Sequence, residues 1–75
     1  MNLTTEEKIF VQLTKDNISY FNAIYNGNLA VEYYVDSGNV ARITENGITV
    51  MDLLTIRDAF YAIAGIVRYH QAKEA

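Results

Sequence analysis

From Ala59 to Val67 nine successive positions, Ala-Phe-Tyr-Ala-Ile-Ala-Gly-Ile-Val, carry no charge. A bilayer span needs about 20 apolar residues. Extending this run backwards to that length takes in Asp52, Arg57 and Asp58. A helix that is apolar over more than one inward stripe calls for cover on a second side, from its own fold or from another subunit. The pattern predicts a helix over about residues 50–72. Its inner face is Leu53, Ile56, Phe60, Ile63, Ala64 and Val67, widened by Ala59 and Ile66. Thr49 and Asp52 are alternative N-caps.

The first element opens on Thr4-x-x-Glu7, the pattern of a capping box, with Glu6 and Glu7 at the positive end of the helix dipole. At 100° per residue Phe10, Leu13, Tyr20, Phe21 and Ile24 share one face, which predicts a long helix ending at Asn26-Gly27. Gly27 is expected in the left-handed conformation of a helix stop. A rival reading makes residues 18–25 a strand, because they are rich in β-branched and aromatic side chains and Asn26-Gly27 also suits a hairpin.

The middle of the chain alternates. Leu29, Val31, Tyr33 and Val35 fall on one face of a strand, with Glu32, Tyr34 and Asp36 on the other. Asp36-Ser37-Gly38-Asn39 and Glu45-Asn46-Gly47 read as turns around a second strand, Val40 to Thr44. Residues 48–50 are either a short third strand or the approach to the last helix. The resulting fold class is α+β: an N-terminal helix, a small antiparallel hairpin or three-stranded meander, and a long C-terminal helix packed on the sheet. The alternative is a mostly helical dimer.

Length sharpens the demand for a partner. Seventy-five residues make a single small domain. Such a chain buries only about 60–65% of the surface it exposes when unfolded. It has no Cys and one His, His70, so disulfides, thiolate sites and histidine-rich metal sites are excluded. Association is the remaining device, and a homo-oligomer is expected, a dimer first. On the last helix Ala62 and Gly65 form a small-residue patch beside Tyr69, where a second copy of the helix can pack antiparallel about a two-fold axis.

The net charge of −3 argues against nucleic acid, which calls for a basic face, and suits a protein with a basic groove. No signal peptide or membrane span is legible, so a cytoplasmic setting is expected. The catalytic frames are absent: neither serine sits in a G-x-S-x-G context, and no phosphate-cradling glycine loop occurs. No cofactor or metal is expected. His70, four residues from Ile66, is expected to bond the carbonyls of the last turn.

Three features remain. Arg57, Tyr61 and Arg68 lie along one helical stripe and can grip an anion or stack on a base. Glu32 and Asp36, with Glu45, form an acidic rim able to steer the chain to a basic partner. Six tyrosines include Tyr33 and Tyr34, which must point to opposite sides of a strand; Tyr34 is the one facing out. These features predict a non-enzymatic protein-binding module, of the kind a phage or mobile element uses to inhibit or modulate a larger protein. The alternative is an oligomeric binder of a nucleotide or another small anion, held by the Arg57–Tyr61–Arg68 stripe.

Overall fold

The computed structural model describes residues 3–74. Helix α1 (Thr5–Tyr25) is followed by β1 (Leu29–Tyr34), a 3-10 turn (Val35–Ser37), β2 (Val40–Glu45), β3 (Ile48–Thr55) and helix α2 (Ile56–Glu74). The three strands form one antiparallel sheet in the order β1-β2-β3. Both helices lie against one face of it. The predicted α+β architecture is thus the one observed, with the three-stranded form of the meander, and a mostly helical chain is not favoured.

The capping box closes as its residues require. The Glu7 amide donates to Thr4 Oγ1 at 3.1 Å and the Thr4 amide donates to the Glu7 carboxylate at 2.8 Å. Residues 18–25 are helical, because their apolar positions pack at helical spacing against the sheet and α2. At the other end Asn26, not Gly27, takes the left-handed conformation (φ 52°, ψ 40°). Gly27 is needed for another reason: a Cβ built there would lie 2.6 Å from Cε1 of Phe21. The chain therefore passes directly over the Phe21 ring as it turns. Asn22 then fixes the return. Its Nδ2 donates to the Leu29 carbonyl at 3.0 Å, and its Oδ1 accepts from the Leu29 amide at 2.9 Å. This two-point clamp sets β1 against the last turn of α1.

The hairpin between β2 and β3 closes on the Glu45–Ile48 pair, with Asn46 (φ 54°) and Gly47 (φ 79°) supplying the positive dihedrals of a tight two-residue loop. Strand β3 then runs to Thr55, so the last helix begins six residues later than its apolar spacing predicts. The β-branched run Ile48-Thr49-Val50 pairs with β2 instead of starting a helix. Neither Thr49 nor Asp52 is the cap. Thr55 is, its Oγ1 accepting from the Asp58 amide at 3.0 Å. Leu53 consequently leaves the predicted inner face and stands exposed on the strand. The first strand ends at Tyr34, so Val35 and Asp36 sit in the 3-10 turn and Asp36 no longer shares a strand face with Glu32.

The interior lies between the layers. Ile43 of β2 and Ile63 of α2 are wholly buried, joined by Phe21, Leu29 and Val67. Each such side chain contributes about 1.5–3 kcal/mol by leaving water. The helices run parallel: Phe10 stacks on Phe60 (5.3 Å between centroids) near one end, and Phe21 meets His70 edge-on (4.8 Å) toward the other. The one buried polar side chain among the described residues, Thr14, donates to the Phe10 carbonyl at 2.7 Å.

The face of α1 that is buried differs from the one predicted. Phe10 and Phe21 turn inward, but Leu13, Tyr20 and Ile24 are exposed, and Thr14, Ile18 and Tyr25 take their places. The Asn22 clamp rotates the helix so that Ile18 and Tyr25, rather than Tyr20 and Ile24, meet the core.

Replacing Gly27 with Ala is expected to destabilise the protein by about 1–3 kcal/mol, since the Phe21 ring must be displaced from a packed interior. Urea unfolding will show this as a lowered midpoint with an unchanged slope. An unshifted midpoint would mean that the ring is free to move.

Candidate functional site

Strand β3 carries the most exposed large apolar side chains among the described residues. Its pairing with β2 slips twice: Thr44 faces Thr49 and Ile43 faces Met51, while Ala41 faces Leu54. Each slip inserts one residue in β3 that β2 does not match, which is a β-bulge. The bulges destroy the inside-outside alternation, so Val50, Met51 and Leu53 all face solvent, as does Ile48 beside the hairpin. Ile48 is 69% exposed and Leu53 79%. Leu53 is also held at φ 56°, a left-handed conformation that costs a leucine about 1–2 kcal/mol. Its amide is tied to Asp52 Oδ1 at 2.8 Å.

Beyond β3 the sheet ends. Its outer edge is a row of backbone donors and acceptors, the feature that natural proteins blunt with charge, proline, bulges or cover. The strand contains no proline and a single charged residue, Asp52. That charge is engaged within the chain, 3.3 Å from the Arg42 guanidinium. Arg42 lies on the sheet face away from the helices, with Glu32 opposite it in register and its guanidinium 5.4 Å from the centre of the Tyr34 ring. The hydrogen bond from Arg42 holds the Asp52 carboxyl below its ordinary value of 3.8, helped by the Leu53 amide; the same bond raises Arg42. Of the predicted partner-binding residues, Glu32 and Tyr34 thus meet around Arg42. Asp36 is set apart in the 3-10 turn, and Glu45 stands exposed at the start of the hairpin.

The second surface is the outer side of the two helices. Ile9, Leu13, Tyr20 and Ile24 fall within about 60° of one another around α1. All four are exposed, Ile9 and Ile24 by more than half. The matching outer side of α2 carries the predicted stripe. Arg57 lies over the Tyr61 ring at 5.8 Å, and Tyr61 stands 6.3 Å from Phe10 across the helix pair. Arg57 and Arg68 are eleven residues apart, about 16 Å along the axis, so the two guanidiniums cannot close on one phosphate. The small-residue patch is divided: Ala62 packs against the core, Gly65 is open with nothing within 4 Å of an added Cβ, and Tyr69 is exposed beneath Lys73.

A third feature is a groove of about 380 Å³ between α1 and the β1 edge, lined by Lys15, Ile18, Ser19 and Tyr33 among others. The Tyr33 hydroxyl is buried next to Thr14, and burial raises its pKa. At the far end of the helices the Tyr25 hydroxyl, donating to Glu74, is pushed up to about 12, and His70 Nδ1 sits 3.0 Å from the Ile66 carbonyl, as its position in the last turn predicts. Among the described residues no three metal-ligating side chains cluster, and no helix is long and apolar enough to cross a membrane. Compared with protein-family models, curated proteins and solved structures, the chain matches none.

Sequence reasoning missed Met51 and Leu53 as surface residues of a strand. A helical reading of residues 50–55 hides them, and no local signal announces a bulge.

A depressed carboxylate stabilises the fold above its unfolded pKa and ceases to as pH falls through the folded value. The Asp52 carboxyl is therefore expected to titrate below 3.8 in a carbon-detected NMR titration, and Arg42→Gln to return it toward that value. The stability difference between wild type and Asp52→Asn is expected to disappear in acid. A normal Asp52 titration in wild type would show that the pair is open in solution.

Proposed function

We propose that this chain is a non-enzymatic protein-binding module whose β3 edge takes up an extended segment of another protein. The observation that carries this reading is the conjunction at β3 of an open sheet edge and four exposed apolar side chains, two of them the most exposed large apolar ones among the described residues. Strand addition draws affinity from main-chain hydrogen bonds and specificity from alternate side chains. Ile48 beside the hairpin and Leu53 beyond the bulges are the anchor points, and the left-handed Leu53 is a strained residue of the kind that gathers at binding sites.

The occupant is an apolar segment flanked by basic residues. The chain carries −3 overall, Glu45 borders the strand, and Glu32 lies on the open sheet face two strands away. Such a rim speeds encounter with a basic partner more than it adds affinity. Capturing an extended segment of a larger protein in this way is how a small inhibitor or modulator acts, and an accessory protein of a phage or mobile element fits that role. The alternative, an anion held between the two arginines of α2, is disfavoured by their separation of about 16 Å.

The test is selection of peptides on the immobilised protein from a random display library. Peptides alternating in apolar residues, with Lys or Arg at their ends, are expected. Ile48→Lys and Leu53→Asn are each expected to weaken them tenfold or more, since about 1.4 kcal/mol is lost with each apolar contact. Leu53→Asn is expected at the same time to raise stability toward urea by about 1 kcal/mol, because Asn accepts the left-handed conformation. That opposite response separates binding from folding. Peptides insensitive to both substitutions would overturn the proposal.

A further inference from the structure

The opposite edge of the sheet, β1, is built differently from β3. In a regular antiparallel ladder the residues of a strand alternate: one exchanges both backbone bonds with its neighbour, and the next turns its N–H and C=O outward. The pairing of β1 with β2 is regular, without a slip from Leu29 to Tyr34. Asn22 shows which residues turn outward. Both backbone groups of Leu29 bond its side chain, whereas the carbonyl of the preceding Asn28 accepts from the Asn46 amide at 2.9 Å, on the β2 side. Leu29, Val31 and Tyr33 therefore point their backbone groups away from β2, and Ala30, Glu32 and Tyr34 bond to it.

The Asn22 carboxamide gives Leu29 one donor and one acceptor, which is what a residue of a fourth strand would give it. Among the described residues no side chain does the same for Val31 or Tyr33. Those two residues line the groove of about 380 Å³ beside α1, a volume within the range of about 300–1,000 Å³ that ligand clefts have. Ile18 and Leu29 supply its apolar side, Ser19 and Lys15 its polar rim. The chain reverses between α1 and β1, so levels along the two elements compare directly. Lys15 lies seven residues before Asn22, about 10 Å along the helix, and Tyr33 lies four after Leu29, about 13 Å along the strand. Lys15 thus stands level with the stretch between Val31 and Tyr33. Lys8 lies on the same flank of α1, two turns earlier. The neighbouring carboxylates are turned elsewhere: Glu7 to the Thr4 amide and Asn39, Asp16 to Gln12, and Glu32 to the sheet face away from the helices. Glu45 stands on the next strand at the Leu29 end, and Asp36 in the 3-10 turn past the end of β1. Lys15 has no ion pair among the described residues.

We propose that this groove takes an extended acidic peptide as a fourth strand, paired with the backbone of Val31 and Tyr33, with one apolar side chain on Ile18 and Leu29 and a carboxylate on Lys15. Strand addition of this kind draws affinity from main-chain bonds and selects side chains through the pocket beside the edge. A peptide fits better than an acyl chain, because two outward pairs of backbone groups call for hydrogen bonds that a hydrocarbon leaves unmade. Asn22 marks one end of the site, since its carboxamide already occupies the place opposite Leu29. The occupant spans the two pairs beyond it, about 7 Å apart, and so needs only three or four residues. The β1 and β3 edges lie on opposite sides of the sheet and select opposite charges, acidic segments at β1 and basic-flanked ones at β3.

Short blocked peptides test this by NMR titration of the isotope-labelled protein. Acetyl-Val-Leu-Val-Asp-amide is expected to shift the Val31 and Tyr33 amide signals saturably and to slow their hydrogen exchange. The amides of Ala30 and Glu32, bonded to β2, are expected to keep their exchange rates. The same peptide with methylated backbone amides is expected to bind about tenfold more weakly or not at all. Lys15→Gln is expected to weaken the acidic peptide about two- to fivefold, the size of an exposed ion pair. Lys15→Glu is expected to make acetyl-Val-Leu-Val-Lys-amide the tighter ligand. Ser19→Phe places a ring in the groove and is expected to abolish binding with the helical signal intact. Should a variant unfold, the wild type decides: the acidic against the basic peptide reads the charge preference, and the methylated one reads the strand pairing. Absence of shifts at Val31 and Tyr33 with millimolar acidic peptide overturns the proposal. So does an equal response to both charges, binding that survives methylation, or shifts confined to β3, which would put the peptide on the other edge. Decanoate binding at Val31 and Tyr33 where the peptides do not bind also overturns it, and makes an apolar acid the occupant.

Discussion

The corner between α1 and β1 sets the rotation of α1 about its own axis, and that rotation divides the apolar surface of the chain between interior and exterior. Three residues make the corner. Asn26 supplies the left-handed turn, Gly27 lets the backbone pass over the Phe21 ring, and Asn22 holds both backbone groups of Leu29. Once β1 is fixed on the Asn22 side of the helix, Ile18 and Tyr25 face the core and the opposite apolar stripe cannot. A two-layer fold has only one interior. The helix brings an apolar arc wider than that interior accepts, and the surplus remains on the surface.

The sheet repeats this economy in another form. Central strand β2 has strict alternation, with Ala41 and Ile43 wholly buried. Its neighbour β3 has two extra residues and no alternation, so its side chains are spread over both sides of an edge. Bulges at an edge commonly turn it away from unwanted pairing. Here they also leave Leu53 strained and apolar in water, a combination that contributes nothing to the isolated protomer. Edge strain of this kind persists because the Asp52–Arg42 pair and the start of α2 at Thr55 hold the strand from both directions.

The two exposed surfaces differ in how their charge is arranged. The β3 edge has its single charge neutralised inside the chain and an acidic rim at a distance. The helices carry both signs, Glu6, Lys8, Lys15 and Asp16 on α1 and Arg57, Asp58 and Arg68 on α2, all of them exposed.

Local physics determined much of this protein from the sequence alone. The capping box at Thr4, the tight Asn46-Gly47 loop, the alternation of Leu29, Val31 and Tyr33, and the buried line Ile56, Ala59, Ile63 and Val67 each depend on residues close in the chain. The same periodicities misplaced Leu53, which continues the apolar spacing of α2 backwards but pairs as a strand because β2 lies beside it. They also assigned Leu13, Tyr20 and Ile24 to the inside. Periodicity records that side chains are apolar and share a direction; whether anything stands in that direction depends on where distant segments pack. That was decided by the Asn22–Leu29 clamp and by the bulged register of β3, both of which exist only once the chain has folded back on itself.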